Sequence, residues 1–134
     1  MRINTPIHKL TMDQAYLIVN ETVEWCKDYF EPPVINRRKQ LCVMIHSTED
    51  HRVYGEYCDK NNWLTINLFH CHNVKDIVST TIHEYVHYIQ DLKWYALYSR
   101  KMGYDNNPFE VEARQEEKRN YMKCWKEIRK EILI

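Results

Sequence analysis

The chain has 134 residues, a length that suits a single domain with one hydrophobic core. Its 19 lysine and arginine residues equal its 19 aspartate and glutamate residues, so no large net charge attracts it to nucleic acid or to an anionic membrane. We therefore expect one domain, residues 1–134, that binds neither nucleic acid nor membranes.

The cysteine spacing and the N-terminal residues predict a cytoplasmic protein. The five cysteines contain no C-x-x-C pair, and their odd number and wide spacing are unlike a disulfide framework. Residues 1–10 lack the charged region and apolar stretch of a signal peptide. No apolar run approaches the roughly 20 residues that a membrane-spanning helix needs. The expected oligomeric state is a monomer or a small homo-oligomer.

The first half of the chain predicts one helix followed by three short strands. Thr11 to Phe30 has an apolar helical pattern and begins with a capping-box pair, Thr11 and Gln14. Residues 36–39 are basic and are interpreted as a solvated turn. The strands are predicted at Gln40–Ser47, Arg52–Tyr57 and Trp63–Phe69. Short polar turns between them favour an antiparallel meander, and Gly55 indicates a bulge or a close backbone approach.

The segment from Val74 to Leu92 predicts a buried helix, with Asn73 as its N-cap, and contains the pattern H-E-x-x-H. Residues four apart in a helix point in similar directions from successive turns, so His83 and His87 can bind one metal ion. Glu84 lies beside the first histidine, at the position from which a carboxylate can act as general base. The five residues therefore predict a zinc site on a buried helix.

A catalytic zinc has three protein ligands and one open position, so a third ligand is expected downstream. The last helix is predicted from Pro108 to about Leu133. Projected onto a helical wheel, Glu110 falls on its apolar, buried face, whereas Glu112 falls on the solvated face. Glu110 is therefore the predicted third ligand. Alternatively, Asn107 and Glu110 form a capping-box pattern, in which Glu110 accepts a hydrogen bond from the Asn107 amide.

Other residues near the predicted site have more than one interpretation. Glu117 can orient a ligand histidine through its second ring nitrogen, or it can pair with Arg114 or a lysine. The segment His70-Cys71-His72 contains metal-ligand residue types, but adjacent residues on one loop rarely converge on a single ion.

The tyrosines are assigned by their positions. A helical pattern continues from Leu92 to about Gly103, and Tyr104 lies in the loop just before the predicted third ligand. Tyr104 is therefore the candidate donor of a hydrogen bond to an oxyanion at the metal site. The remaining tyrosines of this region are interpreted as core or helix-surface aromatics: Tyr85, Tyr88, Tyr95 and Tyr98.

The pattern H-E-x-x-H followed, after a short helix and a loop, by N-P-x-E-x-E-A resembles the gluzincin zinc metallopeptidases. The small single-domain members, the minigluzincins, are the most similar. The resemblance covers about Trp63 to Arg119. Ala113 matches the alanine of the E-x-x-A pattern found in several such families. The aspartate or serine-aspartate that usually follows the third ligand in gluzincins is not evident, since Arg114 lies four residues after Glu110. The second subdomain of larger gluzincins is missing, so their substrate specificity does not carry over.

The predicted order of elements is α+β: an N-terminal helix, a small three-stranded and mainly antiparallel sheet, an active-site helix and C-terminal helices. The resemblance implies a zincin-like fold and a zinc metalloendopeptidase that acts on peptide or protein substrates. It implies one catalytic Zn²⁺ held by His83, His87 and Glu110, with a water molecule activated by the zinc and by Glu84 as general base. An extended peptide can add to a sheet edge, for which the Arg52–Tyr57 strand is the candidate.

Two alternatives remain open at this point. The first is a non-catalytic, zinc-stabilised protein-interaction module, whose closed site needs a fourth protein ligand, for example Cys71 or His72. The second is a latent protease whose cleft is blocked by its own C-terminus, Glu131–Ile134. Packing of these residues in the hydrophobic core explains their apolar character equally well.

Overall fold

The computed structural model describes residues 1–35, 37, 39–49 and 53–132. Within these ranges the chain has an α+β arrangement of four α-helices and one three-stranded sheet. The helices are α1 (Met12–Tyr29), α2 (Val74–Ile89), α3 (Tyr95–Met102) and α4 (Pro108–Ile128). The strands are β1 (Cys42–His46), β2 (Gly55–Cys58) and β3 (Trp63–Asn67). No helix in the described ranges is both long enough and apolar enough to cross a bilayer.

Helix α1 begins and ends close to the predicted limits. Its capping box is confirmed: Thr11 Oγ1 accepts a hydrogen bond from the Gln14 amide at 3.1 Å, and the Gln14 side chain accepts one from the Thr11 amide at 2.8 Å. The helix ends at Tyr29, before the two prolines that cannot continue it. Its buried face packs against α2 and α4.

The sheet is mixed, so the prediction of an antiparallel meander is wrong for its first strand. The strand order is β1-β3-β2, with β1 parallel to β3 and β2 antiparallel to it. After β1 the chain crosses the C-terminal end of β3 instead of turning directly into β2. Asn67 holds this crossing, because its side chain accepts from the Thr48 amide at 3.1 Å and donates to the Thr48 carbonyl at 2.9 Å. Strand β3 is the central strand and the most buried of the three, with Leu64 and Ile66 fully buried.

Gly55 allows β2 to lie directly on α2. A Cβ atom at this position would lie 2.7 Å from Thr80 Cγ2 and 3.2 Å from Glu84 Cγ. The close backbone approach that Gly55 predicts is therefore confirmed. Strand β2 starts at Gly55, while the predicted first residue, Arg52, lies outside the described residues. In the described sheet β2 pairs with β3 alone and is an edge strand, as predicted.

Helix α2 lies between the sheet and the pair of helices α1 and α4, and is therefore buried along most of its length. Asn73 caps it as predicted, because its side chain accepts from the Asp76 amide at 3.1 Å. The N-terminal segment of the chain accepts from two further amides of the first turn. The Val74 amide donates to the Thr5 carbonyl at 3.0 Å, and the Lys75 amide donates to the Ile3 carbonyl at 2.8 Å.

The C-terminus of α2 is held by Arg37. Its Nη2 atom donates to the carbonyls of Tyr88 and Gln90 at 2.9 and 2.7 Å. The helix ends at Ile89 and not at Leu92, because these carbonyls have a side-chain partner in place of a further helical turn. The interpretation of the basic connection as a solvated turn is therefore wrong for Arg37.

The last two helices have the predicted caps. Helix α3 is followed by Gly103, whose φ of 81° requires a residue without a side chain. Asn107 caps α4 by accepting from the Phe109 amide at 3.0 Å. Helix α4 ends at Ile128, earlier than predicted, and Ile132 packs in the hydrophobic core. The rest of the proposed blocking segment, residues 133–134, lies outside the described residues.

Candidate metal centre

Helix α2 and the first turn of α4 bring three side chains with metal-ligand chemistry together. His83 Nε2 lies 2.8 Å from Glu110 Oε1, and His87 Nε2 lies 3.0 Å from Glu110 Oε2. One ligand atom from each of the three residues lies within 4.8 Å of the others. In the part of the chain that the structure describes, this is the only such group of three or more histidine, cysteine or acidic residues.

The Glu110 carboxylate points toward the two imidazoles and away from the helix N-terminus. The Tyr95 hydroxyl also donates to Glu110 Oε2. The Asn107 amide donates instead to the Tyr104 carbonyl at 3.2 Å. The capping-box interpretation of Glu110 is therefore wrong. A carboxylate that is only 3% exposed needs such partners, because its burial without them is costly.

The two histidines present the same ring nitrogen toward Glu110. The other nitrogen of His83, Nδ1, lies 2.9 Å from Glu117 Oε1, and that of His87 lies 2.7 Å from Gln90 Oε1. An ionised carboxylate and an amide oxygen can only accept, so each Nδ1 carries a hydrogen. Each Nε2 is then the atom that can donate its lone pair to a metal ion. Two imidazoles and one carboxylate form a donor set that fits a divalent transition-metal ion.

Gln90 was not predicted as part of the site. Its Nε2 donates to the Phe109 carbonyl at 3.1 Å and to Glu112 Oε1 at 2.8 Å, which directs the amide oxygen toward His87. Glu112 is exposed, as predicted, yet it helps to fix this amide. The available sequence signal was the position of Gln90, three residues after His87 and hence on the same helix face.

Of the two interpretations of Glu117, the structure agrees with the one in which it contacts a histidine. Arg114 forms no ion pair with it and donates instead to the Asp105 carbonyl. The aspartate or serine-aspartate that usually follows the third ligand in gluzincins is not evident in this chain, where Arg114 lies four residues after Glu110. In this structure the carboxylate that contacts His83 comes from nearly one helical turn further along α4.

The buried charges shift the pKa values of the cluster. Burial lowers the pKa of His83, but its hydrogen bonds with Glu110 and Glu117 outweigh this effect and raise it to about 10. Burial raises the pKa of Glu110, but its hydrogen bonds with His83, His87 and Tyr95 hold it well below its usual range. In the metal-free protein, His83 is therefore protonated at neutral pH.

Glu84 has a different environment from Glu110. Burial raises its pKa most strongly, the charges of His83 and His87 lower it, and those of Glu110 and Glu117 raise it, to a final value of about 7. A carboxyl group with a pKa near 7 both accepts and releases protons at neutral pH, which is the property of an effective general base.

Glu84 lines a cleft between the edge strand β2 and the helices. Two adjoining cavities, of about 410 and 450 Å³, share four lining residues: Val53, Gly55, Glu84 and Tyr104. The first cavity extends past His83 and Glu117, and the second extends past His87 and Tyr95. The cleft therefore continues on both sides of Glu84 and passes over the His83–His87–Glu110 cluster.

Two of the tyrosines that line the cleft, Tyr104 and Tyr95, differ in how well they were predicted. Tyr104, the predicted oxyanion donor, is 58% exposed and lines both cavities. Desolvation of its hydroxyl and the negative charge of Glu110 raise its pKa, so the hydroxyl keeps its proton. The interpretation of Tyr95 as a core or surface aromatic is wrong, because its hydroxyl contacts Glu110. The sequence pattern of α3 does not define which of its faces meets α4.

The segment His70-Cys71-His72 is not part of the cluster. Cys71 is 5% exposed, and its thiol donates to the Asn67 carbonyl at 3.6 Å. Burial and the charge of Asp76 raise the pKa of this thiol to about 12, so it does not supply a thiolate at neutral pH. His72 is exposed and also lies outside the cluster. Neither of the two candidates for a fourth protein ligand is therefore placed to close the site.

The chain matches no family model, no curated protein and no solved structure. The gluzincin resemblance therefore depends on the residues of this sequence alone, and the zincin-like fold stays a prediction. The side-chain geometry of the cluster is the independent observation on which a function can be proposed.

Proposed function

We propose that the protein is a zinc metalloendopeptidase of the gluzincin type with a zincin-like fold. The observation that carries this proposal is the convergence of His83, His87 and Glu110 beside Glu84 in a cleft. Catalytic zinc sites have three protein ligands and one open position, whereas structural sites are closed by four. A cluster of three ligands next to a buried carboxyl group agrees with the catalytic arrangement.

The proposed mechanism assigns one task to each side chain. His83 and His87, through Nε2, and Glu110, through its carboxylate, would hold the ion. Zinc supplies Lewis-acid chemistry, since it lowers the pKa of water and polarises a carbonyl group. Glu84 accepts the proton of the attacking water and passes it to the leaving amine. Tyr104 donates a hydrogen bond to the carbonyl oxygen as negative charge develops there.

The shape of the cleft supports an extended polypeptide as the substrate. Strand β2 forms one wall and has an unpaired edge in the described sheet, to which a peptide can add as a further strand. The cleft continues on both sides of Glu84, so an internal segment of a polypeptide fits as well as a chain end. This feature favours an endopeptidase over an exopeptidase.

The experiment that tests this proposal combines metal analysis with digestion of a peptide library by the purified protein. We expect one zinc ion per chain in the wild type and in Glu84→Gln, and cleavage by the wild type alone. Glu31→Gln, on an exposed residue outside the cleft, serves as the control and is expected to cleave normally. Full proteolysis by Glu84→Gln would reject the general-base assignment, and protein that binds no zinc would reject the metal assignment.

The two alternative functions give different results in the same assay. A structural zinc module binds zinc, cleaves nothing and unfolds when a chelator removes the ion. A latent protease gains activity when residues 131–134 are deleted. Ile132 of that segment is buried in the core, so we expect the deletion to destabilise the protein without activating it.

A further inference from the structure

A second groove, between α2 and α4, carries three cationic side chains. Its volume is about 530 Å³, and Lys75 of α2 faces Arg114 and Lys118 of α4 across it. We define it by these three residues as the basic groove. It is continuous with the cleft, because Ser79, Arg114 and Glu117 line both. A polypeptide that leaves the cleft past His83 therefore enters the basic groove.

The positive charge of the basic groove is not compensated within the described residues. None of its three cations forms an ion pair with a described carboxylate. Lys75 Nζ lies 4.8 Å from the centroid of the Tyr121 ring, and Arg114 donates to a backbone carbonyl. The only carboxylate that lines the groove, Glu117, is held by His83 Nδ1 at 2.9 Å. The groove is therefore locally cationic in a chain with equal numbers of acidic and basic residues.

The arrangement of the cations suits a short acidic segment. Arg114 and Lys118 are four residues apart on α4 and project from the same face, opposite Lys75 in the first turn of α2. Val111 and Tyr121 supply apolar surface between them, on which the stems of acidic side chains can pack. Opposite charges arranged in this way raise the rate of encounter and select among partners.

We propose that the basic groove binds an acidic segment of the substrate, on the side of the scissile bond that lies beyond His83. This substrate preference rests on the proposed peptidase function. A nucleic acid fits less well, because the carboxylates of Asp76 and Asp105 line the adjoining cavity and repel a continuous polyanion. A polypeptide can place its acidic residues in the basic groove and neutral residues in the cleft.

The test measures binding without hydrolysis, with two fluorescent peptides of equal length and the zinc-loaded Glu84→Gln protein. One peptide carries three glutamates at one end, and the other carries three glutamines there. We expect the acidic peptide to bind about tenfold more tightly at low salt, and this preference to weaken at high salt. We expect Lys75→Glu with Lys118→Glu to remove the preference and to leave binding of the neutral peptide unchanged. Lys126→Glu, on an exposed residue of the same helix, is the control and keeps the preference.

Three results would overturn the assignment of the basic groove. They are equal binding of the two peptides, a preference that survives the double charge reversal, and tighter binding of a single-stranded oligonucleotide of matched charge. Where the double variant is unstable, the same comparison with Lys118→Glu alone, on an exposed residue of the groove, decides the question. Peptides that bind as expected but are never cleaved by the wild-type protein would support the basic groove and reject the peptidase function.

Discussion

Gln90 Oε1 lies 2.7 Å from His87 Nδ1, and this contact determines which nitrogen of His87 can bind a metal ion. The Gln90 amide group is itself fixed by the Phe109 carbonyl and by Glu112, both on α4. The second histidine of the motif is therefore oriented by the same helix that supplies Glu110. Substitution of a residue that hydrogen-bonds to the second nitrogen of a ligand histidine commonly lowers metal affinity about 10- to 100-fold.

Replacement of Gln90 should weaken metal binding although Gln90 is not a ligand. We expect Gln90→Leu, which keeps the approximate volume and removes the acceptor, to lower zinc affinity about 10- to 100-fold. Gln90→Glu retains an acceptor for His87 Nδ1 and should recover most of the affinity. A competition titration against a chromophoric chelator measures both variants. Wild-type affinity in Gln90→Leu would show that His87 needs no such orientation.

The two glutamates at the start of α4 should differ strongly in their effect on metal binding. Glu110 contacts both imidazoles, whereas Glu112 is exposed and reaches His87 only through Gln90. We expect Glu110→Ala to abolish tight zinc binding and Glu112→Ala to reduce affinity by no more than about tenfold. The same chelator titration compares them, and equal effects would reject Glu110 as the third ligand.

Zinc affinity should rise with pH over the neutral and alkaline range. The pKa of His83 is raised from 6.5 to about 10 in the metal-free protein, so its protonation stabilises the folded metal-free state. That contribution is complete below about pH 6.5 and is lost as the pH rises through about 10. Since the metal must displace this proton, the apparent affinity should increase up to about tenfold per pH unit between pH 7 and 9.

The control for this pH dependence is Glu117→Gln. It keeps an oxygen that can accept from His83 Nδ1 but removes the negative charge that helps to raise the His83 pKa, so that pKa should fall and the slope between pH 7 and 9 should become smaller. Chelator titrations in buffers of matched ionic strength measure the slope. A flat wild-type profile would mean that His83 is already deprotonated in the metal-free protein.

Gly55 should be required for activity more than for metal binding. A Cβ atom there would lie 2.7 Å from Thr80 Cγ2 and 3.2 Å from Glu84 Cγ, so β2 or these side chains of α2 must move in Gly55→Ala. Overpacking of this kind costs about 1–3 kcal/mol of stability. We expect a lower kcat with nearly unchanged zinc affinity, because the metal-binding side chains are not in the clash. If Gly55→Ala lost zinc binding together with activity, the substitution would disrupt the whole fold and not only the cleft.

The metal-ligand pattern could be predicted from the sequence because its geometry is local. His83 and His87 are related by one helical turn, and helix periodicity alone brings them together. Glu110 required one more step, the projection of a second helix whose apolar face was visible in the sequence. The capping residues Thr11, Asn73 and Asn107 were also predictable, since each acts within a few residues of its own position.

The features that could not be predicted depend on how distant elements pack. Arg37 binds the end of α2, and Tyr95 reaches Glu110, across contacts between segments far apart in sequence. The parallel pairing of β1 with β3 depends on the crossing held by Asn67, where the sequence suggested only a turn. Propensity and periodicity describe each segment by itself, and they carry no information on these tertiary contacts.

Coordination of zinc by His83, His87 and Glu110 can be tested with a crystal structure of the zinc-loaded protein and anomalous diffraction data collected at the zinc absorption edge. We expect one strong peak about 2.0–2.2 Å from Nε2 of His83, Nε2 of His87 and a carboxylate oxygen of Glu110. A zinc ion that Glu110 does not coordinate, or zinc bound elsewhere on the chain, would contradict this assignment of ligands.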